Sequence, residues 1–125
     1  MQIRNAQQVE EIEMTMPGAS GVTMRLMHGT EHGVPNFAMR HFTVQPGGHT
    51  PLHEHNYEHE VIILSGNGQV TGEQGDVNVS SGDTLYVQPN ETHQFRNTGD
   101  DPLKFICLVP IQFDCGSECL PTPGS

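Results

Sequence analysis

The chain of 125 residues is long enough for one domain of ordinary size, and it can bury a core without a metal or a disulfide. Its 5 Lys and Arg residues against 15 Asp and Glu residues give a formal net charge of −10, which argues against nucleic acid and anionic membranes as partners. No apolar run is long enough to span a membrane, and the first residues are polar and acidic, so we expect a cytoplasmic protein.

The spacing of glycine, proline and apolar residues predicts an all-β chain. The 14 glycines and 9 prolines interrupt the sequence about every ten residues, and no segment has the pattern of an amphipathic helix. Pro46, Gly47 and Gly48 predict the end of one strand, and residues 74–75 predict the turn of a hairpin. The predicted strands are residues 22–27, 36–45, 60–64, 69–73, 76–80, 84–87, 92–96 and 103–109.

We divide the chain into residues 1–35, the N-terminal strands and loops of a small barrel, residues 36–113, its core with a metal site, and residues 114–125, a C-terminal tail. Three cysteines without a secretion signal argue against a disulfide framework. Cys115 and Cys119 could bind metal or pair across a dimer, or they could be two free thiols of the tail.

Four histidines lie in two patterned segments. His53, His55 and His59 belong to GGHTPLHEHNYEHEVIILSG, residues 47–66, and His93 belongs to GDTLYVQPNETHQFRN, residues 82–97. The first three share one parity, so on an extended strand they point to the same side, and an antiparallel sheet can bring His93 beside them. Four imidazoles suit a divalent transition metal such as Zn, Fe, Ni, Cu or Mn. We therefore predict that these four residues bind one metal ion.

The competing interpretation treats each histidine as an ordinary surface or packed residue. That interpretation suits a lone histidine, and we apply it to His28 and His32, which we place at the surface. His41 and His49 could approach the metal site but are left out of the ligand set. Three histidines of one parity and a fourth in its own patterned segment favour a metal site over four unrelated residues.

The first of the two segments resembles the first motif of the cupin superfamily. That motif runs Gly, five residues, His-x-His, three residues, Glu, six residues, Gly, and Gly47, His53, His55 and Gly66 fit it. His59 stands at the Glu position. With three histidines and a carboxylate a divalent ion keeps a net charge of +1, whereas four neutral histidines leave it at +2, a stronger Lewis acid.

The second segment resembles the second cupin motif, in which Gly, Pro, Gly, His and Asn follow at fixed spacings. Gly82, His93 and Asn97 fit, while Gln88 stands at the Pro position and Asn90 at the second Gly position. Asn tolerates a positive φ better than most residues, so we expect the turn at this point to survive.

The resemblance implies a double-stranded β-helix, the jelly-roll barrel of cupins, and it is strongest to small cupins that bind manganese with four histidines. It implies Mn²⁺ as the metal, a homodimer, and oxidative cleavage of styrene-type double bonds with peroxide or oxygen. We expect the dimer to be two-fold symmetric and to use the N-terminal strands. By position, the resemblance places these residues on the walls of the substrate pocket: Arg40, Thr50, Phe105, Cys107 and Val109.

Strand parity agrees in part, because Phe105, Cys107 and Val109 can all face inward, although an ordinary barrel core would give the same pattern.

Three functions remain open. The first is a metal-dependent oxygenase or oxidative-cleavage enzyme acting on a small molecule. The second is a non-redox isomerase or lyase acting on a sugar-derived acid, and the third is a non-catalytic module that binds a small ligand or a metal.

Overall fold

Nine antiparallel strands pair into one curled sheet in a computed structural model of the chain, in which residues 1–111 are described. The all-β jelly-roll fold predicted from the sequence is confirmed. Two 3-10 helices, Ala6–Gln8 and Thr30–His32, complete it, and no helix within residues 1–111 could cross a membrane. The strands are β1 (Ile12–Glu13), β2 (Ser20–His28), β3 (Phe37–His49), β4 (His59–Ser65), β5 (Asn67–Gly72), β6 (Gly75–Ser80), β7 (Thr84–Val87), β8 (Gln94–Asn97) and β9 (Leu103–Pro110).

Strand β3 organises the sheet, whose order is β6-β5-β8-β3-β9-β4-β7, with β2 also on β3 and β1 on β2. Its first part pairs with β9 from Phe37 to Val44, and its last residue, His49, pairs with Arg96 of β8. One strand therefore contributes to both halves of the curled sheet. The alternation of side chains along the strands places the core on the concave side that results.

Every second side chain along the strands points to this inner side. Phe42, Phe105 and Phe95 stack in a row, with ring centroids 5.3 Å and 4.5 Å apart and planes within 21°. Each buried aromatic or aliphatic side chain stabilises the fold by roughly 1.5–3 kcal/mol relative to its exposed state. The core also includes Val22, Met24, Leu26, Ala38, Val44, Val61, Ile63, Val70, Val79, Leu103, Cys107 and Val109.

The predicted end of the second strand at residues 46–48 is wrong, because β3 continues to His49. Ser20 pairs with His49, and Val22 pairs with Val44. Residues 44–49 of β3 therefore lie opposite residues 20–22 of β2, and the extra residues of β3 form a bulge. Gly47 has a φ of +81°, and a Cβ on Gly48 would meet the carbonyl oxygen of Ser20. The two glycines bend the strand and allow close backbone approach instead of ending it.

Other boundaries differ from the predictions by small steps. Gly72 pairs with Gly75, so the hairpin loop is residues 73–74 and not 74–75. The strand predicted at 92–96 is β8, Gln94–Asn97, and strand β1 was not predicted. Strand β1 has two residues, too few to show a period of two.

The second motif forms the turn that was expected. Asn90 has a φ of +66°, and no other non-glycine residue within residues 1–111 has a positive φ. Asn97 is buried, and its amide donates to the carbonyl oxygens of Val44 and Asp101, both at 2.8 Å, and accepts from the N–H of Gly99 at 2.9 Å. This side chain ties β3 to the turn that leads into β9.

Candidate metal centre

Three backbone elements bring the four histidines together. His59 begins β4 on its inner face. His53 and His93 form an isolated antiparallel bridge, with N–H···O distances of 3.2 Å and 3.0 Å in the two directions. His55 lies in the loop between this bridge and β4, and its carbonyl oxygen accepts from the N–H of Asn90 at 2.5 Å. The left-handed turn at Asn90 therefore holds the loop that carries His55.

The convergence of the histidines does not come from a continuous strand. Residues 54–58 have no strand pairing, so the parity argument for His53, His55 and His59 applies to a loop that the bridge at His53 and the start of β4 hold at its two ends. The rings of His55 and His59 nevertheless lie side by side, with centroids 5.1 Å apart.

Three of the four predicted ligands form a compact group. The nitrogen atoms that His55, His59 and His93 can offer all lie within 4.8 Å of one another. Their ring centroids are 5.1 to 5.4 Å apart. His59 and His93 are 1% and 2% exposed, and His55 is half-buried. A buried group of imidazoles of this size fits a single transition metal ion.

His53 lies beside this group. Its ring centroid is 4.7 Å from that of His55 and 6.1 Å from that of His93. Its nitrogen atoms are not within the 4.8 Å limit that joins the other three. The assignment of His53 as a fourth ligand stays a prediction.

Hydrogen bonds to the far side of two rings orient them. Nδ1–H of His93 donates to the carbonyl oxygen of Glu91 at 2.9 Å, so in the neutral ring Nε2 is the nitrogen that carries the lone pair. Nδ1 of His59 lies 3.2 Å from Sγ of Cys107, and Nη2 of Arg40 donates to the same sulfur at 3.6 Å. Because Arg40 can only donate, the sulfur accepts that hydrogen bond. It can accept in the same way from Nδ1–H of His59.

The inner nitrogen of His59 is the strongest single sign of a metal. Nε2 is buried and has no hydrogen-bond partner within residues 1–111. A buried N–H at that atom would be unsatisfied, at a cost of about 1–3 kcal/mol. A lone pair directed at a cation removes that cost, so the donor set fits a bound metal ion.

The protonation state of His59 also suits a ligand. Burial lowers its pKa to about 2, and the positive charge of Arg40 and the neighbouring imidazoles add to the effect. His59 is therefore neutral at any ordinary pH and need not release a proton when a metal binds. Burial raises the pKa of the Cys107 thiol while Arg40 opposes the rise, so the sulfur is a neutral thiol.

The residues expected to wall the pocket are all buried. Phe105 lies in the aromatic row, and Thr50 receives the N–H of Phe95 on its hydroxyl at 2.9 Å while its own N–H donates to the Phe95 carbonyl at 2.9 Å. Arg40 lies with its guanidinium carbon 5.4 Å from the Phe42 ring centroid. Arg40, Thr50, Phe105, Cys107 and Val109 are each 3% exposed or less, and their contact with a substrate stays a prediction.

Sequence reasoning missed Tyr57 and a cleft beside His93. Tyr57 is buried and stacks on His55, with centroids 4.8 Å apart and planes at 11°; its parity, the same as that of the flanking histidines, was the available signal. The cleft of about 430 Å³ lies between the β5–β6 hairpin and β7, and His93 is part of its lining. The other residues that line it include Val70, Val77, Val79, Leu85, Val87 and Glu91.

The remaining histidines lie elsewhere. His41 is buried on the outer face of β3, opposite Ile106, and burial together with Arg25 and Lys104 lowers its pKa. His49 ends β3, and its Nδ1 is 3.3 Å from the carbonyl oxygen of Thr50. His28 and His32, predicted at the surface, are half-buried and contact each other, with centroids 6.4 Å apart. Cys115 and Cys119 lie outside the described residues.

Replacing Cys107 with valine will weaken metal binding, because His59 then loses the sulfur that accepts its Nδ1–H. Loss of such a partner typically costs roughly 10- to 100-fold in metal affinity. Serine keeps an acceptor at the same position, so C107S should retain more affinity than C107V. Calorimetric titration of the metal-free variants with Mn²⁺ measures the difference. Equal affinities of C107V and the unchanged protein would show that the sulfur does not support the ligand.

Comparison with known proteins gives a consistent result. Residues 40–109 match the family described as the cupin domain. Over 76 residues the chain is 36% identical to 1-methylthio-D-xylulose 5-phosphate methylsulfurylase of Rhodospirillum rubrum, which covers 61% of this chain and 49% of that protein. The chain thus spans about half the length of the curated relatives it matches.

Two solved structures share the fold over most of the chain. The polyketide cyclase RemF of Streptomyces resistomycificus superposes with a TM-score of 0.84 at 28% identity, over 89% of this chain and 80% of that one. A predicted oxalate decarboxylase of Thermotoga maritima superposes with a TM-score of 0.76 at 25% identity, over 88% of this chain and 99% of that one.

Proposed function

The chain belongs to the cupin domain family, and from that premise we propose that it is a metal-dependent enzyme that oxidises a small organic substrate with dioxygen or a peroxide. One observation carries the proposal: the buried Nε2 of His59, without a hydrogen-bond partner within residues 1–111, lies in a group of ligand atoms that are all imidazole nitrogens. An all-nitrogen set of neutral ligands suits a transition metal and leaves its full charge available to a substrate or oxidant.

A divalent transition metal bound there, with Mn²⁺ favoured by the resemblance, would supply a redox-active centre that is also a Lewis acid. The chain's own residues provide the rest of the site. The carbonyl of Glu91 and the sulfur of Cys107 fix the ring orientations of His93 and His59. The row of stacked phenylalanines on the inner face keeps the adjoining core dry and apolar.

Access for the substrate is the next requirement. Six of the fifteen residues that line the cleft beside His93 are valine, leucine or tyrosine, and they offer an organic molecule an apolar surface. Its polar lining residues include Gln74, Asn78, Asp83 and Glu91. Because the lining includes Asp83 and Glu91 and no Lys or Arg, an uncharged alkene of the styrene type suits it better than a phosphorylated sugar does.

A second function is favoured by the relatives. The names of the methylsulfurylase and of the polyketide cyclase describe no reaction with dioxygen. On that basis the alternative is a non-redox reaction in which the metal acts only as a Lewis acid on a bound oxygen atom.

Metal replacement separates the two functions. The metal-free protein is reconstituted with Mn²⁺ or with redox-inert Zn²⁺ and given a styrene-type alkene and a peroxide, and carbonyl products are quantified. The proposal predicts cleavage with Mn²⁺, none with Zn²⁺, and none with the Mn²⁺-treated His93→Ala variant. Product formation no faster than with free Mn²⁺ would contradict it. Conversion of a sugar-derived acid at equal rates by the Mn²⁺ and Zn²⁺ forms would favour the non-redox alternative.

A further inference from the structure

The turn between β7 and β8 connects the segments that carry His55 and His93. Its first and last residues are Gln88 and Glu91, and the Glu91 N–H donates to the Gln88 carbonyl oxygen at 3.2 Å. Asn90 has the positive φ that the third position of a type II turn requires. Its N–H donates to the carbonyl oxygen of His55, while the carbonyl oxygen of Glu91 accepts from Nδ1–H of His93. The backbone of this turn therefore holds both ligand segments.

The Glu91 side chain extends this connection to the wall of the cleft beside His93. Its Oε1 accepts from the N–H of Gln88, and its Oε2 accepts from the N–H of Glu73, both at 3.3 Å. Glu73 lies in the loop of the β5–β6 hairpin, which forms one wall of the cleft. The carboxylate packs closely on the hairpin backbone, because a Cβ on Gly72 would lie 3.1 Å from Oε2. One side chain thus ties the hairpin to the turn.

The end of the hairpin extends past the sheet that supports it. Strand β5 pairs with β8 from Gly68 to Thr71, and the last pair joins Thr71 to Gln94. Residues 72–75, which follow this pair, include three that line the cleft. An ionised carboxylate makes a stronger hydrogen bond to a backbone N–H than a neutral acceptor does. Glu91 therefore fixes the end of the hairpin relative to the turn that orients His93.

We propose that Glu91 is a positioning residue that couples the wall of the cleft to the metal ligand His93. The inference rests on the proposed function only in that His93 binds the metal. A metal that fixes the His93 ring also fixes the Glu91 carbonyl and, through the carboxylate of the same residue, the end of the hairpin. Because such coupling is reciprocal, displacement of the hairpin by a molecule that enters the cleft weakens metal binding by the same factor.

Amide hydrogen exchange of the metal-free and the Zn²⁺-loaded protein, measured by NMR, tests the coupling. Zn²⁺ is diamagnetic and redox-inert, so the result does not depend on the oxidative chemistry of the proposed function. The metal should slow exchange of the Glu73 amide roughly tenfold, a typical size for coupling between sites. The Ser80 amide is the internal reference, because it donates at 2.8 Å to a carboxylate oxygen of Asp83, which lines the same cleft. Its exchange should not respond to the metal.

Substitution of the two carboxylates separates positioning from loss of charge. Glu91→Ala keeps the backbone carbonyl that accepts from His93 but releases the hairpin, so the affinity for Zn²⁺, measured by calorimetry, should fall roughly tenfold. Asp83→Ala removes the same charge from the same cleft and should leave the affinity for Zn²⁺ unchanged. Glu91→Gln keeps one oxygen that can accept from an N–H group, so its affinity should lie between those of Glu91→Ala and the unchanged protein.

Two results would overturn the proposal. Equal losses of affinity in Glu91→Ala and Asp83→Ala would mean that only the charge matters. A Glu73 amide whose exchange does not respond to bound Zn²⁺ would mean that the carboxylate only holds the hairpin. Circular dichroism checks the fold of each variant, and the exchange experiment on the unchanged protein decides the matter even if Glu91→Ala does not fold. Either failure with normal Zn²⁺ binding leaves the proposed function untouched, whereas an unchanged protein that binds no Zn²⁺ would overturn both.

Discussion

Replacement of His59 or of His93 by alanine will leave a folded protein that has lost most of its metal. Each change removes one of the three nitrogen atoms that lie within 4.8 Å of one another. The loss of affinity should exceed the roughly 10- to 100-fold that removal of a hydrogen bond to a ligand costs, because a coordinate bond is lost outright. The fold should survive, since a chain of this length has a core of its own. Metal content per chain, by elemental analysis alongside a thermal melt, measures the effect.

The chain offers a matched control in His41, which is also buried but lies on the outer face of β3. His41→Ala should keep full metal content while losing a comparable amount of packing. Full occupancy in both the His59→Ala and His93→Ala variants would mean that these residues are not ligands. The same assay on His53→Ala decides the fourth ligand, where we expect a loss similar to that of His93→Ala.

The metal-free protein will lose stability in mild acid, and His59 will account for a large share of the loss. In the folded state burial and the charge of Arg40 lower the pKa of His59 to about 2. In the unfolded chain a histidine has a pKa of about 6.5. Below that value the unfolded chain takes up a proton that folded His59 cannot, so acid favours unfolding. The free energy of unfolding is therefore unaffected by His59 above about pH 6.5, and it falls steadily as the pH decreases toward about 2.

The size of the effect follows from the same linkage. Each pH unit below the unfolded pKa removes about 1.4 kcal/mol, so His59 alone should cost about 2 kcal/mol between pH 6.5 and pH 5. Urea denaturation of the metal-free protein at these two pH values gives the measured loss. The His59→Gln variant has no proton to take up at this position and should lose about 2 kcal/mol less. Equal losses in the two proteins would show that His59 is not held neutral by the fold.

The motif residues explain why so much of the fold could be predicted from the sequence. Glycine, asparagine and histidine at fixed spacings report local backbone requirements, and the positive φ of Asn90 is one that could be stated in advance. Strand parity placed Phe105, Cys107 and Val109 together on the inner side, and all three are buried. Such signals are local, so a sequence contains them directly.

Features that depend on distant partners were not predictable in this way. Gly47 and Gly48 looked like the end of β3, and only the carbonyl of Ser20 shows that they bend it. The contact between His59 and Cys107 joins residues 48 positions apart and depends on the register of β4 against β9. The loop position of His55 likewise depends on the bridge between His53 and His93 and on the Asn90 turn. A pattern along one strand contains none of this information.

The central claim is that one transition metal ion binds among His55, His59 and His93. Crystals of the protein reconstituted with Mn²⁺ and measured with X-rays on both sides of the manganese absorption edge test it most directly. The account predicts one anomalous peak per chain, within about 2.3 Å of Nε2 of both His59 and His93. A structure with no anomalous peak among these rings, or with the peak bound by other residues, would contradict it.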